Sequence, residues 1–472
     1  MVFVIRGRAA LATCLTASLF VCLAVASQSS GSTEGNWPQW RGPNRDNVST
    51  ETGLLKKWPV DGPPLAWTAK DLGIGFSGVS VQNGRIYTMG ERDTGETPKP
   101  KETAAAKDQD TKGKHKKGRK ADRGGKRQFV VALNEADGKQ LWATPIGTAE
   151  NNGGGYSGPR CTPAADGAHV YALGIDGDLA CLDSATGEIV WKKSYTKDFD
   201  GRMMTGWGYA ESPLVDGDRL ICTPGGKKDT MVALDKLTGK TIWTCAAADF
   251  GHKGKDGAAY SSIVISHGAG VKQYVQLIGH GLIGVRADDG QFLWGYDKVA
   301  NGTANIPTPI VRGDYVFDST GYQTGAALLK LTAEGSGVKA EEVYFLDHTK
   351  LQIHHGGMVL VGGYLYGGHG HNAGAPVCVD FLTGKIEWKE NHGPGSGSAA
   401  VACADGRLYF RYQDGTMALI DCTPKEYKLV SSFKIPDVST PSWPHPVIAG
   451  GRMYIRDQQR LLCYDLKASD AK

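Results

Sequence analysis

The apolar residues of this chain fall in short runs broken by turn residues, and one such run keeps returning. A copy reads Ala-Cys-Leu-Asp183-Ser-Ala-Thr-Gly187-Glu-Ile-Val-Trp191: an apolar run, Asp, a turn closing on Gly, and Trp four residues beyond the Gly. It recurs as Val-Ala-Leu-Asp235-Lys-Leu-Thr-Gly239-Lys-Thr-Ile-Trp243 and as Val-Cys-Val-Asp380-Phe-Leu-Thr-Gly384-Lys-Ile-Glu-Trp388. Looser copies are Asn134…Gly138…Trp142 and Arg286…Gly290…Trp294. From Trp142 the steps to Trp191, Trp243 and Trp294 are 49, 52 and 51 residues, and Trp388 lies 94 beyond, two steps with Tyr344 between. Runs this short, bounded by Gly and Asp, predict strands rather than helices. A period of about 50 predicts the blades of a β-propeller.

Each copy has a physical reading. Asp accepts backbone N–H groups of the turn, and Gly supplies the positive φ that closes it. The Trp lies on the next strand, where a large ring can fill the wedge between blades. A second series sits between the Trp strands, with an Asn-Gly, Asp-Gly or Gly-Gly pair flanked by apolar runs, from Asn83-Gly84 to Gly450-Gly451. It has eight members, whereas the aromatic series from Trp142 through Tyr344 and Trp388 to Phe433 has seven. The segment Pro64-Leu-Ala-Trp67-Thr looks like the eighth outer strand, and the chain ends on Leu461-Leu-Cys-Tyr-Asp465 with no Trp strand after it. The expected fold is therefore all-β: an eight-bladed β-propeller of four-stranded antiparallel blades. An N-terminal strand pairs with the C-terminal blade and removes the free sheet edges.

Composition agrees, with 65 Gly and 21 Pro among 472 residues. Arg6 and Arg8 precede an apolar stretch, Ala9 to Ala26, that ends Ala-Val-Ala. It reads as a secretory signal over 1–26, too short and wrongly flanked for a spanning helix. An arm follows over 27–62 and the propeller over 63–472, in a protein expected to be exported to the periplasm or secreted. The net charge of +4 is uneven, because residues 91–127 hold 13 Lys or Arg against 7 Asp or Glu in a stretch nearly free of apolar residues. That insert reads as a basic, low-complexity loop, and the rest of the ring is mildly acidic. Eight cysteines remain after the signal; Cys181, Cys378 and Cys463 share one repeat position, a slot for small buried residues, and Cys222 with Cys245 is the better disulfide candidate.

Strand order divides the ring into two faces. The Asp…Gly turns share one face with the first hairpin of each blade. The links between blades, the middle hairpins and the basic insert share the other. Histidines crowd this linker face, above all His354, His355, His369, His371 and His392, and imidazoles at such density are candidate metal ligands or acid–base groups. They show no tight ligand spacing, and a polar loop lining explains them equally. The face is the expected place for a partner, since propeller function lives in loops on a rigid frame. No nucleophile elbow, phosphate loop or haem-attachment motif is present.

The Asp-x-x-Thr-Gly-x-x-x-Trp repeat resembles the pyrroloquinoline-quinone (PQQ)-type repeat family, which includes the quinoprotein alcohol dehydrogenases and non-catalytic relatives such as the assembly factor BamB. Asn36-Trp-Pro-Gln-Trp-Arg-Gly-Pro-Asn44 looks like the leader of exported proteins of this kind, its two Trp residues anchoring an arm on the ring. The resemblance implies one of two functions. The first is a non-enzymatic propeller, without a cofactor, that binds protein or envelope polymer on the face bearing the insert, not nucleic acid and not spanning the membrane. The second is a dehydrogenase using PQQ and Ca²⁺. For the second, Glu211 in Tyr-Ala-Glu211-Ser and Asn305 in Ala-Asn305-Ile-Pro are the nearest cofactor-binding candidates, but the adjacent Cys pair common in such enzymes is missing.

Overall fold

The computed structural model describes residues 1–3, 35–94, 125–151 and 153–467; most of the signal segment and the centre of the basic insert lie outside them. From Glu34 onward the chain forms one unit. Its eight sheets each hold four antiparallel strands, with a fifth short strand added to one. Blade 1 comprises Ser80–Gln82, Arg85–Asp93, Lys126–Asn134 and Gln140–Thr148, so the ends of the basic insert are strand. Blades 2 to 7 follow in order, and blade 8 comprises Val447–Ala449, Arg452–Asp457 and Arg460–Asp465 with Leu65–Ala69 as its outer strand. Trp67 stands opposite Cys463 and Leu65 opposite Tyr464, so the ring closes as the repeat pattern requires.

The repeat Gly and Trp turn out to be two halves of one joint between blades. Gly187, Gly239 and Gly290 have φ near +70 to +76°. A Cβ at these positions would stand 2.5, 2.9 and 2.5 Å from Trp142, Trp191 and Trp243 of the preceding blade. Each of those indoles also donates Nε1–H into the next blade's turn: Trp142 to Ser184 O at 3.3 Å, Trp191 to Lys236 O at 3.0 Å, Trp243 to Ala287 O at 3.1 Å. Tyr344 keeps the habit without an indole, its hydroxyl reaching Phe381 O at 2.9 Å beneath Gly384. Trp294 departs from it and bonds Gln273 Oε1 of its own blade at 2.6 Å. In every blade a bulge falls on the outer strand, at residues such as Val190, Ile242 and Ala66 just before the aromatic position, and such a bulge re-aims the following side chain. The turn carboxylates act as expected, Asp235 Oδ1 accepting Thr238 N at 2.8 Å and Asp380 Oδ1 accepting Thr383 N at 2.8 Å.

Two expectations are corrected. Phe433 is not the seventh member of the aromatic series, because Ser431 occupies that register position, opposite Leu419. The missing ring comes from the arm. Trp58 lies over Tyr409 at 5.6 Å as Trp142 lies over Tyr87 at 5.9 Å, and its backbone N–H donates to Ser431 Oγ at 3.0 Å. Cys222 and Cys245 are both free and buried. They sit on the second and fourth strands of blade 3 with the third strand between, Cys222 opposite Val232 and Cys245 opposite Met231, about 9–10 Å or more apart at normal strand spacing and beyond disulfide reach. Cys181, Cys378 and Cys463 are fully buried in the small-residue slot.

The arm is woven through the ring. Trp37 pairs with Val81 of blade 1. Val48–Ser49 then runs parallel to the first strand of blade 7, Val48 opposite Cys403. Between them Arg41 and Arg45, 2 % and 4 % exposed, donate to backbone oxygens of the first strands and their approaches: Arg41 to Thr308 O at 3.3 Å, Arg45 to Ile263 O at 2.6 Å and Ser212 O at 2.6 Å. Buried guanidinium groups survive only where such acceptors replace water. The arm therefore fills the axial channel and forms the floor of whatever opens on the other side.

Candidate functional site

Above that floor, on the linker face, lies a cavity of about 400 Å³. Residues from all parts of the ring converge on it: Trp40 and Arg41 from the arm, Phe76 before blade 1, Trp207 and Tyr260 from the links around blade 3, and Trp443 before blade 8. Their rings touch in a chain. Phe76 stacks on Trp443 at 4.5 Å and 25°, His355 meets Trp443 at 4.4 Å, and His354 stacks on His355 at 3.7 Å. His371 continues to His354 at 4.2 Å, and Tyr322 closes on His371 at 4.5 Å. Opposite them Trp207 and Tyr260 form an edge contact at 5.9 Å.

Three of the imidazoles, His354, His355 and His445, are held neutral. Burial, helped by the neighbouring His371, lowers His354 to about 3, and its Nδ1 lies 2.7 Å from Ser398 Oγ. Burial and then Arg41 lower His445 to about 3; its Nδ1 lies 3.1 Å from Asn47 Nδ2 of the arm. Burial pushes His355 well below the usual range. Arg160 stands at the rim, its guanidinium 5.6 Å from the Phe76 ring centre, lowered only to about 10 by burial and therefore charged at neutral pH. Among the described residues no Asp or Glu lines the cavity.

Of the five histidines marked in the sequence, the structure brings His354, His355 and His371 together and adds His445. His369 stands apart, its Nδ1 accepting Gln352 N at 3.3 Å, and His392 is exposed in the link between blades 6 and 7. Among the described residues no group of three His, Cys, Asp or Glu could hold a metal ion. Glu211 and Asn305 do not line the cavity. Glu211 Oε1 accepts Tyr195 OH at 2.6 Å and Thr223 N at 2.7 Å, and burial raises its carboxyl above the usual range. Asn305 Nδ2 donates to Ile278 O and Gly279 O at 3.0 Å, and its Oδ1 accepts Asn301 N at 2.9 Å. Both side chains are spent on holding links between blades. The residues present do not fit a calcium-assisted quinone.

The aromatic wall escaped the sequence reading, because its position, four residues before the first strand of a blade, is held by unlike residues: Phe76, Arg160, Ala210, Tyr260, Ile306 and Trp443. A signal existed: Trp207 sits in Gly-Trp-Gly and Trp443 in Ser-Trp-Pro, large rings in linkers where a loop serving only as a connection has no use for one.

The family model described as outer membrane protein assembly factor BamB, of the PQQ_2 type, matches residues 126–390. The chain belongs to that family. Among curated relatives, the BamB of Salmonella typhimurium is 29 % identical over 123 residues, covering 26 % of this chain and 28 % of that protein. The BamB of Shewanella oneidensis is 26 % identical over 195 residues, covering 41 % and 43 %. The chain thus matches less than half the length of either relative. The quinohemoprotein alcohol dehydrogenase of Comamonas testosteroni superposes with a TM-score of 0.59 at 12 % identity, covering 93 % of this chain and 81 % of that one. At that identity the likeness is one of fold.

Proposed function

We propose that this protein is an exported, non-enzymatic propeller of the cell envelope that holds a protein partner or envelope polymer on its linker face, with the axial cavity at the centre of the contact. The observation that carries this reading is the site itself: a ring of aromatic side chains and buried imidazoles, with no carboxylate among the described residues, around a floor made by the protein's own arm. Aromatic rings in a desolvated pocket are the usual anchors of recognition. BamB relatives support the envelope setting, and Arg6, Arg8 and the apolar stretch to Ala26 support export. No described helix is long and apolar enough to cross a membrane. The fold neighbours favour a second reading, a PQQ- and calcium-dependent dehydrogenase, but Glu211 and Asn305 are committed elsewhere.

The test is direct. Purified protein is mixed with PQQ and Ca²⁺, desalted, and examined for retained quinone absorbance and for dye reduction with alcohols. The binding reading expects neither; stoichiometric retention with turnover overturns it.

A further inference from the structure

We propose that Cys403 and Cys422 are the two ends of a disulfide, a covalent staple across blade 7 between the strand that seats the arm and the turn that receives the indole of blade 6. The site lies outside the linker-face cavity, and the inference holds whatever the ring binds. Three observations lead here. The first is proximity: Cys403 Sγ donates to Cys422 Sγ at 4.0 Å, although the two lie 19 residues apart in the chain. An S–S bond is about 2 Å long, so side-chain rotation has about 2 Å to close.

The second is that the fold itself makes this meeting. Cys403 stands two residues before the hairpin Asp405-Gly406 on the first strand of its blade, and Cys422 follows the turn residue Asp421. Backbone bonds hold the residue after the turn over the first hairpin in several blades: Ala287 N to Lys272 O at 3.0 Å, Phe381 N to Gly363 O at 3.0 Å, Cys422 N to Gly406 O at 3.2 Å and Leu466 N to Gly451 O at 2.8 Å. Blades 4, 6 and 8 fill the two positions with Ile265 and Ala287, Leu360 and Phe381, and Ile448 and Leu466, each pair within one apolar cluster. Blade 7 puts a thiol where those blades put hydrocarbon, at both positions at once.

The third is reactivity. Cys403 is 3 % exposed and Cys422 is partly exposed, so one sulfur is open to a reagent and the other lies behind it. The S–H that Cys403 donates holds the Cys422 thiol below its ordinary value, whereas burial pushes Cys161, Cys181, Cys245, Cys378 and Cys463 up to about 12. A disulfide oxidant completes the chemistry, oxidised glutathione being the simplest. The Cys422 thiolate attacks one of its sulfurs, joins to it and expels one glutathione thiolate. Cys403 then gives up its proton, attacks Cys422 Sγ of that mixed disulfide and expels the second glutathione. Two protein thiols are oxidised, and one glutathione disulfide is reduced to two thiols. The new bond ties Cys403, which stands opposite Val48 of the arm and donates its N–H to Asn47 O at 3.0 Å, to the turn whose Thr423 O accepts Trp388 Nε1 at 2.9 Å.

The experiment incubates the folded, full mature protein with oxidised glutathione, alkylates free thiols in denaturant and maps the linkages by mass spectrometry without reduction. The expected result is one internal bond, Cys403 to Cys422, with the other six cysteines alkylated. Cys403→Ser is expected to stop at the first step and carry one glutathione on Cys422, and Cys422→Ser to carry none and form no bond. Alkylation of all eight cysteines in the unsubstituted protein overturns the proposal, as does a bond from either residue to another cysteine. Glutathione retained on Cys422 of the unsubstituted protein does the same, since Cys403 would then have failed to reach the mixed disulfide. If either variant fails to fold, the linkage map of the unsubstituted protein decides alone. The map needs neither partner nor ligand, so its outcome is separate from that of the quinone test.

Discussion

The two faces of the ring are built on opposite principles. On the turn face the same device recurs: an Asp or Asn caps a turn, a Gly takes positive φ, and the aromatic side chain of one blade caps the Gly of the next. Every part answers a local backbone demand, so the face is repetitive and its chemistry is used up in holding itself together. On the linker face the positions recur but the residues do not: the place four residues before the first strand of six blades holds Phe76, Arg160, Ala210, Tyr260, Ile306 and Trp443. Links of unequal length bring Phe76, Trp207, Tyr260 and Trp443 to one axis, and Arg160 keeps donors to spare. The difference teaches that in such a ring a repeated residue marks structure, while a repeated position filled by unlike residues marks the place where something binds.

Substitutions sharpen the comparison. The largest effect is expected from Trp243→Ala, which removes a buried indole together with its bond to Ala287 O and should cost about 3–5 kcal/mol in a denaturant melt. Gly290→Ala attacks the same joint from the other side. Its φ of +76° and a Cβ 2.5 Å from the Trp243 ring predict a loss of about 2–3 kcal/mol, with the double variant less than additive.

Acid should act on the linker face. His354 and His445 titrate near 3 when folded, below the unfolded value of about 6.5. Below that pH the unfolded chain binds more protons than the folded one, so stability falls as pH drops from about 6.5 towards 3, by about 1.4 kcal/mol per pH unit for each histidine. Melting temperatures between pH 7 and 5 check this, and His354→Gln should flatten the slope. The smallest effect is expected from Asp380→Ala, which removes one turn cap and should cost about 1 kcal/mol in the same denaturant melt.

The fold was legible because a blade cannot bury its faces alone, and the residues that join blades must recur. Asp183, Asp235 and Asp380, Gly187, Gly239 and Gly384, and the indoles from Trp67 to Trp388 all stand where the pattern puts them. Blade 7 was misread at Phe433 because a ring supplied from the arm, Trp58, leaves no mark in the local repeat. The site was half legible. Histidines stand out by type, and three of five converge. His369 and His392 could not be separated from them, since which side of a hairpin a loop residue faces is decided by tertiary packing. Arg41 and Arg45 look solvated in sequence and are buried, because their acceptors are backbone oxygens that no sequence displays.

The central claim is that recognition belongs to the linker face. A photo-crosslinking residue placed at Tyr156, exposed beside the cavity, and another at Leu237, exposed on the turn face, test it in the cells that make the protein. The account predicts one defined adduct from position 156 and none from position 237. An adduct from 237 without one from 156 would contradict it.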